Sequence, residues 1–500
     1  MHSTHPIRPL AAAAPLLLLL AACGSPGAAT GDATLSLGEI SHLQTFDPAK
    51  ANTPQIAYLR PVFDTLISSR GSGEYGPGLA TTWTYTGSDL VLTLRKGVKF
   101  TDGTPFDSSV VKANIERGKK VDGPLAAVSY NLVEKVETPD PYTAELRLAR
   151  PGPSIVQMLS GVPGMMLSPK AFNDPKVDRN PVGTGPWKLD AASSVEGDSY
   201  TYAKNTGYWD PSVQKADKVR IRAYTDAGAM INALRGGQVQ AGPVSGAQVR
   251  SAEQSGLTVE RDPGLPAGLL VLDRDGGTVP ALKDVRVRQA MAYAMDRAAI
   301  NSSVMFGTGD ADGNLFDDRS PAYEPALKSS YPADLAKARR LMAEAGHPDG
   351  FAFDLPTNPV FANLAEAVAG ALGKIGIRAR LVNLQAGNLA VQLRSRKYPV
   401  AVLQLPADDP YLFYQQTLSP KGPYNPYGAT DPRIEALAAR ASTKTIRDGA
   451  AEYRGLYRRA AEQGYVITLV RGYRMLAVRK GVSGAIPVGT APDPRNVTAR

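Results

Sequence analysis

Few residues in this chain carry the means to do chemistry, and the most conspicuous is its one cysteine. Cys23 sits in LLLLLAACGS, residues 16–25 of a chain of 500. A lone thiol builds no disulfide, no zinc–cysteine site and no iron–sulfur cluster. Of four histidines, only His42 and His347 lie beyond the N-terminal leader. They are far apart, without an HExxH motif or a carboxylate cluster around either, so histidine metal sites and Ser-His-Asp hydrolysis have little to stand on. There is no GxSxG elbow and no GxxxxGKS phosphate loop. One partial signal remains for covalent serine chemistry: Ser109-Val110-Val111-Lys112 is an SxxK, and Ser129-Tyr130-Asn131 is an SxN. An SxxK arises by chance roughly once in a chain this long, and no Lys-Thr-Gly follows.

The elements that would position these groups begin with a leader. Residues 1–9 are polar with a single cation, Arg8, and residues 10–22 are built from Leu, Ala and one Pro. That apolar block is too short to cross about 30 Å of hydrocarbon and reads as a signal peptide. Leu20, Ala21 and Ala22 before Cys23 resemble the bacterial lipobox, in which the cysteine becomes the first mature residue and is diacylated. The resemblance implies lipidation at Cys23, and two acyl chains hold a protein stably at a membrane surface. Residues 23–33 are small, polar and Gly/Pro-containing, a flexible tether. The net charge of +9 is mild and spread along the chain, which is no footprint for nucleic acid. A hydrophobic content of 43% supplies cores for two or three domains.

Beyond the tether, strands alternate in period two: Leu90, Leu92, Leu94; Ala144, Leu146, Leu148; and Val219, Ile221, Ala223 between Arg220 and Arg222. Helical stripes follow. Val287, Ala290, Met291, Ala294 and Ala298 come after a cap at Asp284. A helix capped by Asn363, with Glu366 at the capping-box position, carries Leu364, Val368, Ala371, Leu372 and Ile375 to a stop at Gly376. The strand IRARLV follows directly, with Ile377, Ala379 and Leu381 on one side. A further helix spans Asp334 to Ala345 and ends at Gly346. Helix feeding into strand is α/β construction.

Five stretches in order then carry a family resemblance. YGPGLATTWTYTGSDLVLTLRKGVKFTDGTPFDSSVVKANIER (75–117), NPVGTGPWKL (180–189), NTGYWD (205–210), DVRVRQAMAYAMDRAAI (284–300) and AKARRLMAEAGHPDGF (336–351) resemble the family 5 extracellular solute-binding proteins. These are the oligopeptide- and dipeptide-binding components of ABC importers. The resemblance implies an α/β, two-lobe, periplasmic-binding-protein type II-like fold with an inserted third subdomain. Mapped here, lobe I takes residues 34–66, 183–266 and 467–500, the insert 67–182, and lobe II 267–466. It also implies a protein that is not an enzyme, has no cofactor and no bound metal of its own, and is monomeric. Anchored outside the cytoplasm by lipid, it would hold a peptide or peptide-like solute between its lobes. Its partners would be membrane permease subunits with cytosolic ATPases.

In this family an Asp in an aromatic-Ala-Asp-Tyr-x-Asp-Pro stretch pairs with the ligand's amino group. The counterpart is LQLPADDPYLFYQQ, residues 403–416, which gives Asp408 as the ammonium partner and Asp409 as the Asp-Pro element, adjacent here where the family separates them. Tyr411, Tyr414, Tyr424 and Tyr427 are candidate cleft aromatics, and Trp187 and Tyr58 take cleft positions by family analogy. Gln238, Gln240 and Asp273 replace residue types common in relatives and suggest an altered ligand preference. Three alternatives stay open: a penicillin-binding-like serine hydrolase using Ser109, a same-fold binder of an opine, sugar or chelated metal, and a chaperone or adhesion lipoprotein.

Overall fold

The computed structural model describes residues 34–71, 74–86, 89–123, 129–149, 152, 154–385, 389–405, 407, 409–488 and 491–499. The leader, Cys23, the tether and Asp408 lie outside the described residues.

An eight-stranded mixed sheet runs through the molecule. Its order is Val400–Gln404, Thr258–Val271, Val466–Val478, Ala241–Pro243, Thr34–Glu39, Lys218–Ala223, Ser199–Lys204 and Trp187–Val195. Thr34–Glu39 pairs in parallel with Lys218–Ala223, Leu35 opposite Val219 and Leu37 opposite Ile221. Those four side chains are buried, as the alternation with Arg220 and Arg222 requires.

Two strands, Thr258–Val271 and Val466–Val478, are far longer than the rest and pair antiparallel over most of their length. At about 3.3 Å per residue each spans roughly 45 Å, so they tie the two halves of the sheet together. Their register slips between Pro263 and Pro266 and again between Ala267 and Gly268. Proline donates no ladder hydrogen bond, which is why the break falls there.

A four-stranded unit, ordered Ala80–Thr86, Asp89–Leu94, Thr143–Leu148, Val133–Asp140, stands beside the large sheet. Leu90 faces Leu146 and Leu92 faces Ala144, all fully buried with Val111 and Ile115 of helix Ser108–Lys120. Asp107 caps that helix through the amides of Ser109 and Val110.

On the Val400–Gln404 side, helices Val285–Tyr293, Arg297–Val304, Leu335–Glu344 and Ala362–Gly373 cover the sheet around Leu269, Val271, Met291 and Leu372. Asp284 caps the first, accepting from the Arg286 amide, and Asp334 caps the third, which stops before Gly346 at φ +82°. Two local expectations change. The stripe continued to Ala298 is broken, because Asp296 caps a new helix through the Ala299 amide and turns Ala298 outward. The helix expected to start at Asn363 starts at Ala362 without a side-chain cap, and it is Asn358 that accepts from the Val360 and Phe361 amides. Among the described residues strand Arg378–Asn383 pairs with Ala352–Thr357 alone, and Leu381 is exposed.

The turn NPVGTGPW is held where the backbone of residues 61–63 passes. The Gly185 amide donates to Val62 O at 2.7 Å and the Trp187 amide to Pro61 O at 2.8 Å. A Cβ on Gly183 or Gly185 would run into the Val62 carbonyl group, so glycine is required by close approach at both positions.

Candidate functional site

The two long strands form the floor of a cleft between the halves of the sheet. Its cavity of about 560 Å³ is walled by Thr53 and Pro54 on one side and by Met305, Val360, Phe361 and Gln404 on the other. Gly264, Leu265, Gly472 and Tyr473 lie beneath it, where the register slips. The lining is largely apolar, with Thr53, Gln404, Tyr473 and Arg474 as its polar groups.

Charged side chains brace this floor. Asp262, 4% exposed, accepts from Arg474 Nη2 at 2.6 Å and from Arg319 Nη1 at 2.7 Å. Tyr473 donates its hydroxyl to Asp310 at 2.8 Å, and burial followed by that hydrogen bond pushes the phenol up to about 12. Asp310 and Arg471 exchange backbone hydrogen bonds of 2.8 and 2.9 Å. Burial pulls the Arg471 guanidinium below its ordinary value, and its Nη2 donates to Asn314 O at 3.0 Å. A second cavity of about 380 Å³ flanks Tyr473 and is lined by Asp310, Asp312, Asp317, Lys328 and Arg471.

Behind the Thr53–Pro54 wall sits a carboxyl group that the sequence did not single out. Glu39 ends strand Thr34–Glu39, is fully buried, and accepts with Oε1 from the amides of Ile40 and Ser41 at 2.8 and 3.1 Å. Its Oε2 finds no hydrogen-bond partner among the described residues. Burial outweighs the two amides and pushes the carboxyl up to about 7. Ser41 Oγ donates to Pro54 O at 2.9 Å and Tyr58 donates to Ser41 O at 2.7 Å, which joins Glu39 to the cleft wall through one residue.

The residues expected at the cleft take other positions. Tyr58 and Trp187 are fully buried, and Trp187 donates its indole N–H to Ala216 O at 3.1 Å. Asp409 is buried and caps helix Pro410–Phe413 through the Leu412 amide at 2.8 Å. Tyr411 and Tyr414 belong to the core around that helix, with Tyr424 and Tyr427 packed against it. Tyr414 donates to Glu435 Oε2 at 2.7 Å and Tyr427 to Arg396 O at 2.6 Å. None of these seven lines the 560 Å³ cavity. The altered polar residues serve the backbone: Gln240 accepts from the Ser36 amide, and Asp273 gathers the amides of Gly277, Thr278 and Val279. Ser109 is exposed in the first turn of its helix and donates its hydroxyl to Asp107 at 2.6 Å.

Residues 74–425 match the family model described as bacterial extracellular solute-binding proteins, family 5 Middle. This chain is a family 5 solute-binding protein. The family consists of binding proteins rather than enzymes. Its similarity to the glutathione-binding protein GsiB of Salmonella paratyphi A is 29% identity over 382 residues, 74% of this chain and 73% of the relative. For GsiB of Escherichia coli K12 it is 27% over 389 residues, 76% and 74%.

Solved structures of the same type II binding-protein fold superpose over nearly the whole family 5 chain. HbpA2 from Haemophilus parasuis gives a TM-score of 0.81 at 23% identity, covering 93% of this chain and all of that one. The unliganded open form of the murein tripeptide-binding protein MppA gives 0.80 at 19%, covering 94% and 97%. No helix among the described residues is long and apolar enough to cross a membrane.

Proposed function

We propose that this family 5 protein is the substrate-binding component of an ABC importer, tethered outside the cytoplasm by lipid on Cys23, and that it captures peptides or peptide-like solutes. The observation that carries the reading is the cleft on the crossing of the two long strands. About 560 Å³ suits a short peptide or a ligand of that size, and the relatives named for glutathione and for a murein tripeptide point to the same class.

The lobes are then residues 34–66 with 183–266 and 467–500, and 267–466, with 67–182 inserted. The register slips at Pro263–Gly268 are where the strands flex as the lobes close on ligand. An extended peptide satisfies its main chain on protein backbone. Gln404 lines the cavity and ends the strand that leads to Asp408, which supports Asp408 as partner of the ligand's ammonium group. The closed, loaded monomer delivers its ligand to a permease pair driven by cytosolic ATPases.

Native mass spectrometry of the chain purified from a peptide-rich extract, then challenged with glutathione and defined di- to pentapeptides, tests this. A series of peptide masses, lost in Asp408→Ala, is the expected result, with melting raised by bound ligand. A single discrete non-peptide mass, with no peptide bound, refutes the substrate class.

A further inference from the structure

A third cavity, of about 300 Å³, lies away from the cleft, between the four-stranded unit and the helical half of the molecule. One wall carries three rings, Tyr75, Trp83 and Tyr85, and the other is made by Pro321, Ile446 and Arg447. Trp83 and Tyr85 sit two residues apart on strand Ala80–Thr86 and share one face of it. Glu74 and Arg447 meet at the rim at 3.2 Å, with their side chains 39% and 79% exposed. An ion pair that exposed is weak, so a ligand offering both charges replaces it at little cost.

We infer that this pocket is a second binding site, for a free α-amino acid with an aromatic side chain. The ring stacks among Tyr75, Trp83 and Tyr85, where aromatic faces and edges meet. The ammonium group bonds Glu74, and the carboxylate takes the planar fork of Arg447.

The spacing of the charges selects the class. In a free amino acid two carbons, Cα and the carboxyl carbon, separate the ammonium nitrogen from the carboxylate oxygens, which lie roughly 3 Å from it, and each further peptide unit adds about 3.8 Å. Glu74 and Arg447 are neighbours at 3.2 Å, so they suit the short zwitterion and not the termini of an extended peptide. The volume agrees, since it lies at the small end of ligand pockets.

The site has walls from two parts of the molecule that also touch elsewhere: Ser154 Oγ lies 3.4 Å from Gln415 Oε1, and Gly152 packs against the ring of Tyr411. A bound amino acid therefore bridges the four-stranded unit to the helical half. The pocket shares no lining residue with the cleft.

Calorimetric titration of the purified chain with L-phenylalanine, alongside its tryptophan emission, is the test. L-Phenylalanine is expected to bind and to change the emission. Arg447→Ala and Glu74→Gln, both on exposed side chains, should each weaken it about tenfold or more with melting unchanged. Phenethylamine and N-acetyl-L-phenylalanine, each lacking one charge, should bind as weakly as those variants. Gln404→Ala, in the cleft, should leave L-phenylalanine binding intact. Absence of binding at millimolar amino acid overturns the inference, as does binding that both rim variants leave unchanged. Binding lost in Gln404→Ala instead puts the amino acid in the cleft and also overturns it, while leaving the cleft reading standing.

Discussion

Replacing Glu39 with glutamine should remove a defined part of the protein's pH dependence. Burial raises this carboxyl from 4.5 to about 7 in the folded chain, so the native state holds a proton that the unfolded chain releases. Stability from this group is then fully present below pH 4.5, falls as pH rises, and is gone above about 7. Integrating over the two values gives a loss of about 2.5 kcal/mol between pH 5 and pH 8. Glutamine cannot ionise and shows no such slope, although its amide N–H groups sit where Oε2 lacked a partner and cost about 1–3 kcal/mol at every pH. The informative quantity is the difference of differences. Urea unfolding of both proteins at pH 5 and pH 8 should show Glu39→Gln gaining about 2.5 kcal/mol relative to the wild type at the higher pH. Other groups titrate alike in both chains and cancel. Parallel pH profiles for the two proteins would refute the assignment of a protonated carboxyl to the end of the central strand.

Three further outcomes follow from the geometry. Gly185→Ala drives a Cβ into the Val62 backbone and should cost about 3 kcal/mol in chemical unfolding; a neutral effect would show that residues 61–63 can move aside. Asp262→Ala leaves Arg319 and Arg474 facing each other, with side chains 38% and 25% exposed. It should destabilise by about 1–3 kcal/mol, less than a fully buried pair because both guanidinium groups keep some water, and small-angle scattering should report a change in lobe separation if Asp262 braces the crossing. Asp409→Ala removes the cap on Leu412 and should lower stability by about 1 kcal/mol while ligand affinity stays as it is; a selective loss of ligand would reverse the roles given to Asp408 and Asp409.

What the sequence disclosed and what it hid divide along a physical line. Local pattern was enough for Leu90, Leu92, Val219 and Ile221, because a strand's period puts alternate side chains on one face whatever it pairs with. Asp284 and Asp334 were legible as caps because a cap bonds amides only two or three residues away. The pair Gly183 and Gly185 announced a tight turn, but the reason for it, the passing backbone at Val62, lies more than a hundred residues upstream in sequence. The cleft is of that second kind throughout. Thr53, Tyr473, Phe361 and Gln404 come together only because two long strands cross between halves of the sheet, and no spacing within any one of these segments encodes that meeting. The clue that was present is a break in alternation: DPGLP at 262–266 interrupts an otherwise continuous strand pattern with two prolines, and RGYR at 471–474 places arginine and tyrosine inside an apolar run. Strand interiors tolerate such residues where the ladder is already broken or where the side chains answer charges across it, and here both hold, Arg474 against Asp262 and Tyr473 against Asp310. The aromatic residues Tyr411, Phe413 and Tyr414 are spaced as a compact helical cluster, and the structure packs all three into the core around their helix.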